Sequence, residues 1–233
     1  MTPASPDEER PAQGPILNAP AVVQVLILAF VVIHAIQILG SEGNRTWMIF
    51  NFGLHPLHVT DTSGWATAWL WFPAWTQLVT HAFLHLDLAH LALNSLWFLV
   101  FGSIVARRTG PWLFLLLFVV TAVAGALVHV LLYPSSVVPV IGASGAVSGV
   151  LGASFRFILR GWYTPVDAPL LPLFSRQVMA GVVVWSLLNY ALGATGFTPD
   201  GFGALIAWEA HMGGFVAGLV LFPLFDRRGR FRR

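Results

Sequence analysis

Two apolar stretches of the sequence carry residues that together could perform acyl transfer. The first opens with Gly142-Ala143-Ser144-Gly145, and the second contains His211 three and seven residues before Gly214 and Gly218. A histidine can accept the proton of a serine hydroxyl while the oxygen attacks a carbonyl carbon. The neighbouring glycines would let the two helices approach closely. This combination predicts hydrolysis inside a membrane.

Composition places the chain in a bilayer. Hydrophobic residues make up 57% of the 233 residues and charged residues 9%, whereas a soluble domain has about 25% charged residues. The length suits one compact helical bundle and leaves no room for a sizeable soluble domain. Because cysteine is absent, disulfides, thiolate metal sites and a cysteine nucleophile are excluded.

Six apolar runs predict an all-α, polytopic membrane protein with six transmembrane helices. The runs cover residues 19–39, 84–106, 112–133, 144–159, 178–192 and 205–225. They form one predicted domain, 19–226, between a disordered tail (1–18) and an arginine-rich tail (227–233). The fourth run is shorter than a full span, so the loop 134–143 before it should dip into a protein-lined cavity and carry Ser144 below the membrane surface.

The arginines predict how the helices are oriented. All twelve basic residues are arginine, and a cytoplasmic N-terminus with six crossings puts eleven of them on the cytoplasmic side. Only Arg45 would lie outside, as the positive-inside rule requires. We therefore expect both termini in the cytoplasm. The pI of about 9.7 then reflects topology and attraction to anionic lipid, and no nucleic-acid partner is expected.

The segment between the first two crossings, about residues 41–81, is rich in tryptophan. Tryptophan favours the headgroup level of a bilayer, so this loop should lie in the outer membrane interface instead of projecting into water. Its tryptophans are Trp47, Trp65, Trp69, Trp71 and Trp75.

Polar side chains are predicted at one depth on three crossings. His90 and Asn94 on the second crossing lie about 9–15 Å below its outer start, and His211 about 9 Å below the start of the sixth. Ser144 begins the fourth crossing. Intramembrane polar residues are costly and are functional candidates by default. Glycines on matching faces of the fourth and sixth crossings would bring Ser144 to His211.

Other polar residues receive structural interpretations. His34 and His129 have no predicted partner, and Glu209 lies about 200° around its helix from His211, so it cannot orient that histidine. The candidate site is therefore a dyad. A three-histidine metal site on the second crossing is disfavoured by helical phase, although His81 and His85 could still form half of one.

Each of these motifs has a plainer explanation when it stands alone. Gly-x-Ser-Gly in a membrane helix is commonly a packing motif, and a single histidine such as His211 is commonly a hydrogen-bonded interior residue. The shared depth of both residues, with His90 and Asn94 at the same level, favours catalysis.

Order and spacing of four motifs resemble those of the rhomboid family of intramembrane serine proteases, in its six-helix bacterial form. The resemblance covers about residues 75–225. The motifs are Thr80-His81-Ala82-Phe83-Leu84-His85, His90-Leu91-Ala92-Leu93-Asn94, Gly142-Ala143-Ser144-Gly145, and Ala210-His211-Met212-Gly213-Gly214 with Gly218.

The resemblance implies a role for each motif residue. Ser144 would be the nucleophile and His211 the general base, while His90 and Asn94 would help to form the oxyanion hole. It also implies a laterally embedded first loop, a fifth helix that gates substrate entry, transmembrane protein substrates, a bacterial inner-membrane location and no metal or cofactor. The oligomeric state is left open.

Two positions depart from the family pattern. Ser148 stands where many rhomboids carry Tyr or Phe beneath the catalytic imidazole, and Trp75-Thr76 stands where many have Trp-Arg. A bulky side chain from the second or sixth helix is predicted to fill the space beside Ser148, because an empty pocket would leave His211 mobile.

Two other functions fit part of this pattern. A non-catalytic relative that binds and escorts membrane helices would share the fold, but such proteins usually lack the serine or histidine. A transporter or metal-binding membrane protein would use the histidines as ligands. The histidines, however, lie at different angles around their helices, and the membrane segments contain almost no carboxylates. Both observations argue against a transporter or a metal site.

Overall fold

A computed structural model describes residues 19–161, 165, 168–195 and 207–227. Across these residues the regular structure is helical, apart from one isolated antiparallel β-bridge between Leu54 and Val140. The predicted tails 1–18 and 227–233 lie outside the described residues, with the exception of Arg227.

Within the described residues, six long helical segments overlap the six apolar runs of the sequence. The second runs from Leu88 to Thr109 through a π-helical turn, Phe98–Gly102. Among these described segments, four are long and apolar enough to cross a membrane by themselves: Ala21–Leu39, Leu88–Thr109, Pro111–Leu132 and Trp208–Phe225. The chain is therefore a multi-pass membrane protein, as predicted. The helices are α1 (Ala21–Leu39), α5 (Leu88–Trp97), α6 (Ser103–Thr109), α7 (Pro111–Leu132), α8 (Ser144–Ile158), α9 (Arg176–Thr195) and α10 (Trp208–Phe225).

Helix boundaries differ from the hydropathy-based prediction at three places. α5 begins at Leu88 instead of residue 84, because Leu84 is extended and the Asp87 side chain caps the helix by accepting a hydrogen bond from the His90 amide at 2.7 Å. α10 begins at Trp208 instead of about residue 205. α9 has 20 residues, more than the apolar run 178–192, because Arg176 and Gln177 begin it and the helix continues to Thr195.

These shifts correct the predicted depths of the site residues. With α5 starting at Leu88, His90 and Asn94 lie only about 3 and 9 Å along the helix. His211 lies about 4.5 Å from the start of α10. The three crossings still deliver their polar side chains near the same end of the bundle.

Helix α8 is packed between α7 and α10 through glycines. A methyl group on Gly218 or Gly214 of α10 would overlap the backbone carbonyl of Gly149 or Gly145 on α8. In the opposite direction, a methyl group on Gly152 would overlap the carbonyl oxygen of Phe215. Backbone therefore touches backbone along this interface, as small residues in membrane helices allow. The predicted contact between the fourth and sixth crossings is confirmed.

The loop between α1 and α5 contains three short α-helices and two 3₁₀ turns, and it braces the segment that precedes α8. Leu54 exchanges two backbone hydrogen bonds with Val140, and the Leu57 amide donates to the Ser136 carbonyl. Four loop tryptophans are 68–81% exposed, which suits the predicted position at the membrane interface. The short helices are α2 (Glu42–Phe52), α3 (Pro56–Thr60) and α4 (Gln77–Thr80).

A buried ion pair joins the ends of α6 and α10, at the end of the bundle opposite the loop between α1 and α5. Arg108 donates two hydrogen bonds to the Asp226 carboxylate, at 2.8 and 2.7 Å, and its guanidinium lies 4.8 Å from the centre of the Phe157 ring. A paired, bidentate geometry is what makes a buried arginine tolerable. From sequence, Arg108 is only a topology marker, and its pairing with Asp226 is not predicted.

Two buried histidines before α5 should make folding stability depend on pH. Burial lowers the pKa of His81 from 6.5 to about 4 and that of His85 to about 3. Unfolding exposes both rings, so the unfolded chain binds protons first as pH falls below 6.5, and folded stability decreases from that pH downward. Stability is complete above pH 6.5, and at pH 5.5 the loss should be about 3 kcal/mol for both histidines together.

Unfolding in mild detergent, followed at pH 7.5 and pH 5.5, measures this effect. His85→Gln removes one of the two titrating groups and should reduce the pH dependence by about half. An equally strong pH dependence in the variant would show that His85 does not contribute.

Candidate active site

Ser144 begins α8 directly after a sharp backbone turn at Gly142. Gly142 has φ of +126°, and its amide donates to the His81 carbonyl at 2.9 Å. A side chain here would be strained, and its Cβ would lie 2.7 Å from the His90 ring. Glycine thus permits both the turn that presents Ser144 and the close approach of His90.

Ser144 and His211 are in direct hydrogen-bond contact. The distance between Ser144 Oγ and His211 Nε2 is 2.7 Å. The contact follows from the packing described above, since α8 carries the serine and α10 the histidine, and their glycines hold the two backbones together. An imidazole nitrogen at this distance can accept the hydroxyl proton, which is the geometry that an activated serine requires.

The second ring nitrogen of His211 contacts Asn189, which was not among the predicted site residues. His211 Nδ1 lies 2.9 Å from Asn189 Oδ1, and Asn189 Nδ2 donates to the Trp208 carbonyl at 2.9 Å. Asn189 is on α9 and only 2% exposed. The available signal was an amide within the apolar run 178–192, because a polar side chain inside a membrane helix is a functional candidate.

His90 lies beside the nucleophile turn, while Asn94 is bound to its own helix. The Leu86 amide donates to His90 Nδ1 at 3.4 Å, so Nε2 carries the proton in the neutral ring and faces Gly142. Asn94 Nδ2 donates to the His90 carbonyl at 2.9 Å. His90 therefore lies next to the turn that precedes Ser144, and the Asn94 amide braces the helix turn that carries His90.

Glu209 does not contact His211, as expected from the angle of about 200° between the two residues around their helix. It accepts a hydrogen bond from the Tyr133 hydroxyl at 2.7 Å and lies 3.8 Å from His129 Nδ1. At 3.8 Å this is not a hydrogen bond, and within the described residues His129 Nδ1 has no hydrogen-bond partner. The structural interpretation of His129 therefore stays a prediction. His34 is buried, and its ring lies edge-on to His85 with centroids 6.4 Å apart.

Metal-ligating side chains do not cluster at this site. Within the ranges that the structure describes, no group of three or more His, Asp or Glu side chains could hold a metal ion. His81 Nδ1 instead lies 2.8 Å from the Gln77 carbonyl, while the His85 ring packs against His34 and His90.

An apolar cavity of about 460 Å³ lies between α5 and α9. Helix α8 also lines it, it extends along the helix that carries Asn189, and the Trp97 and Trp185 rings in its wall have centroids 6.5 Å apart. Its lining includes Trp97, Phe101, Phe155, Val184, Trp185 and Leu188.

Comparison with known proteins agrees with the resemblance of the motifs. A family model described as "Rhomboid domain" matches residues 73–228. The chain is 30% identical to "Rhomboid protease GlpG" of Serratia proteamaculans (strain 568) over 212 residues, which is 91% of this chain and 64% of that protein. It is 26% identical to the protein of the same name from Yersinia pestis (strain Pestoides F), over 91% of this chain and 65% of the relative.

The chain thus spans about two thirds of the length of these curated relatives. The family match covers residues of the first loop, the Ser144 turn and the His211 helix in a single alignment. The chain belongs to the rhomboid family.

Proposed function

We propose that this protein is an intramembrane serine endopeptidase that cleaves transmembrane segments with Ser144 as nucleophile and His211 as general base. The observation that carries the proposal is the 2.7 Å contact between Ser144 Oγ and His211 Nε2. Relatives named rhomboid proteases support the same activity. A non-catalytic escort protein would not need this contact.

The reaction is an acyl transfer in two steps. His211 Nε2 takes the hydroxyl proton while Ser144 Oγ attacks the peptide carbonyl, and the protonated ring then gives that proton to the leaving amine as the C–N bond breaks. Water next attacks the acyl-enzyme, again with His211 as base, and releases the new carboxyl terminus. No metal or cofactor takes part in these steps.

Charge that develops on the carbonyl oxygen needs hydrogen-bond donors near Ser144. The Ser144 amide at the start of α8 and the Nε2–H of His90 are the proposed donors, aided by the positive end of the helix dipole. The turn at Gly142 holds His90 next to the nucleophile. Asn94 is proposed to act in the same hole, directly or by fixing the helix turn of His90.

Substrates are proposed to enter from the bilayer between α5 and α9. The cavity there is lined by apolar side chains, as a transmembrane segment would require. The helical segment must unwind before its peptide bond reaches Ser144, so segments with glycine or proline near the outer face should be preferred. In this proposal both termini are cytoplasmic and the membrane is the bacterial inner membrane.

Purified protein in lipid vesicles, incubated with a panel of single-span membrane proteins, tests the proposal. Wild-type protein should cleave at least one substrate that carries glycine or proline in the outer half of its span, and Ser144→Ala should cleave none. Equal cleavage by both proteins would overturn the proposal.

Replacing Asn94 separates catalysis from binding at α5. If the residue supports the oxyanion hole, Asn94→Ala should lower kcat by about 10- to 100-fold with little change in KM, because the oxyanion exists only near the transition state. Steady-state cleavage of a substrate from the panel measures both constants. A rise in KM with unchanged kcat would instead make Asn94 a substrate-binding residue.

A further inference from the structure

We infer that Asn189 of α9 is a positioning residue that fixes the tautomer and orientation of His211. The inference rests on the proposed function, which it extends from a dyad to a serine, a histidine and an orienting amide. The geometry is a continuous chain of hydrogen bonds from Trp208 through Asn189 and His211 to Ser144.

The amide of Asn189 can take only one orientation in this chain. The Trp208 carbonyl accepts a hydrogen bond at 2.9 Å, and a carbonyl can be contacted favourably only by the NH₂ end of the amide. Rotating the amide by 180° would place two oxygens against each other. The oxygen end must therefore face His211 Nδ1, which lies 2.9 Å away.

This orientation determines where His211 carries its proton. An amide oxygen only accepts hydrogen bonds, so the neutral ring must place its proton on Nδ1 and leave the lone pair on Nε2. That lone pair faces Ser144 Oγ and can take the hydroxyl proton. In the other tautomer Nε2 would already carry a proton, and the ring could not act as the base.

The support from α9 matters because, in the part of the chain that the structure describes, neither position 148 nor Glu209 holds the ring by a hydrogen bond. Ser148 is a small residue at the position one turn after the nucleophile, and Glu209 is bound to Tyr133 at 2.7 Å. Among the described residues, Asn189 is the side chain hydrogen-bonded to His211 Nδ1. This hydrogen bond comes from the fifth helix, which the sequence did not identify as a support for the ring.

A glycine one turn further along α9 permits the approach. A Cβ on Gly193 would lie 2.6–2.7 Å from the Trp208 side chain, closer than real Cβ contacts. Gly193 and Asn189 are four residues apart and so lie on the same helix face. The absence of a side chain at Gly193 lets α9 come near the start of α10, within reach of the Asn189 amide.

Substitutions at Asn189 test the inference kinetically. Asn189→Leu keeps a similar volume but removes the acceptor, so kcat should fall about 100-fold with KM within about twofold, as expected for a base in the wrong tautomer. Asn189→Gln keeps both the acceptor for His211 and the donor for the Trp208 carbonyl, and it should keep kcat to within about tenfold of wild type. Leu187→Ala, at a 65% exposed position of the same helix, is the control and should keep wild-type kcat.

Gly193→Ala supplies an independent variant that leaves Asn189 in place. Its Cβ should push α9 away from Trp208, and kcat should fall as in Asn189→Leu. Wild-type kcat in Asn189→Leu would overturn the inference. Equal loss in the Gln and Leu variants would also overturn it, because Gln keeps the amide acceptor and Leu does not.

Nitrogen NMR of protein labelled with ¹⁵N-histidine keeps this test separate from the activity. His211 can be assigned by the signals that disappear in His211→Gln. Wild-type protein should show the proton on Nδ1, and Asn189→Leu should show a mixture or the other tautomer. A proton on Nε2 in wild type would overturn the inference, whereas the expected tautomer in a protein that cleaves nothing would overturn only the proposed function.

Discussion

Ser144→Ala and His211→Ala should each lower the rate of substrate cleavage by about 10⁴-fold or more, because the nucleophile and its base act as one unit. Both should also abolish covalent labelling by a fluorophosphonate, which reacts only with an activated serine. The physical basis is the 2.7 Å contact between the two side chains. In-gel labelling and cleavage in lipid measure the two effects.

Ser154→Ala is the matched control for these variants. Ser154 is buried in the same helix, and its hydroxyl donates to the Leu151 carbonyl of its own backbone at 2.6 Å. The variant should keep labelling and cleavage. If Ser144→Ala kept its labelling while Ser154→Ala lost it, the nucleophile would have been assigned to the wrong serine.

Gly218→Leu should leave no folded protein, and Gly218→Ala should reduce the free energy of unfolding by about 3 kcal/mol or more. A Cβ here meets the carbonyl of Gly149, and backbone cannot move aside as a flexible side chain would. The strain would also separate α8 from α10, which carry Ser144 and His211, so cleavage should fall together with stability.

Gly43→Ala provides the comparison for the glycine variants. Gly43 is exposed in α2, and an added Cβ would meet only the Ser41 hydroxyl oxygen at 3.7 Å. Alanine in a helix should be neutral or stabilising by about 0.5–1 kcal/mol. Thermal unfolding in detergent measures all three variants. A stable, active Gly218→Leu would contradict the described packing of α8 on α10.

Much of the helix arrangement was predictable because a bilayer imposes strong rules. Long apolar runs identify the crossings, and the helices at Ala21–Leu39 and Pro111–Leu132 lie within two residues of their prediction. The start of α5 was missed because hydropathy does not detect a cap. Asp87 is an N-cap signal that lay inside the apolar run, and it moves the helix start to Leu88.

The pairing of Ser144 with His211 was predictable for a different reason. Glycines beside both residues restrict which helix faces can meet. Contacts between side chains distant in sequence carry no such periodic signal. Asn189 reaches His211 over 22 positions and Arg108 reaches Asp226 over 118, so only the three-dimensional structure identifies these partners.

Mass spectrometry of cleavage products in lipid vesicles tests the central claim most directly. Single-span substrates would carry one Gly-Pro pair placed in the outer half, the centre or the inner half of the span. The proposal predicts cleavage within the span, with more cleavage of the outer-half substrate than of the other two. Ser144→Ala should cleave none of them. Cleavage confined to residues outside the membrane span, or a cut that persists in Ser144→Ala, would contradict it.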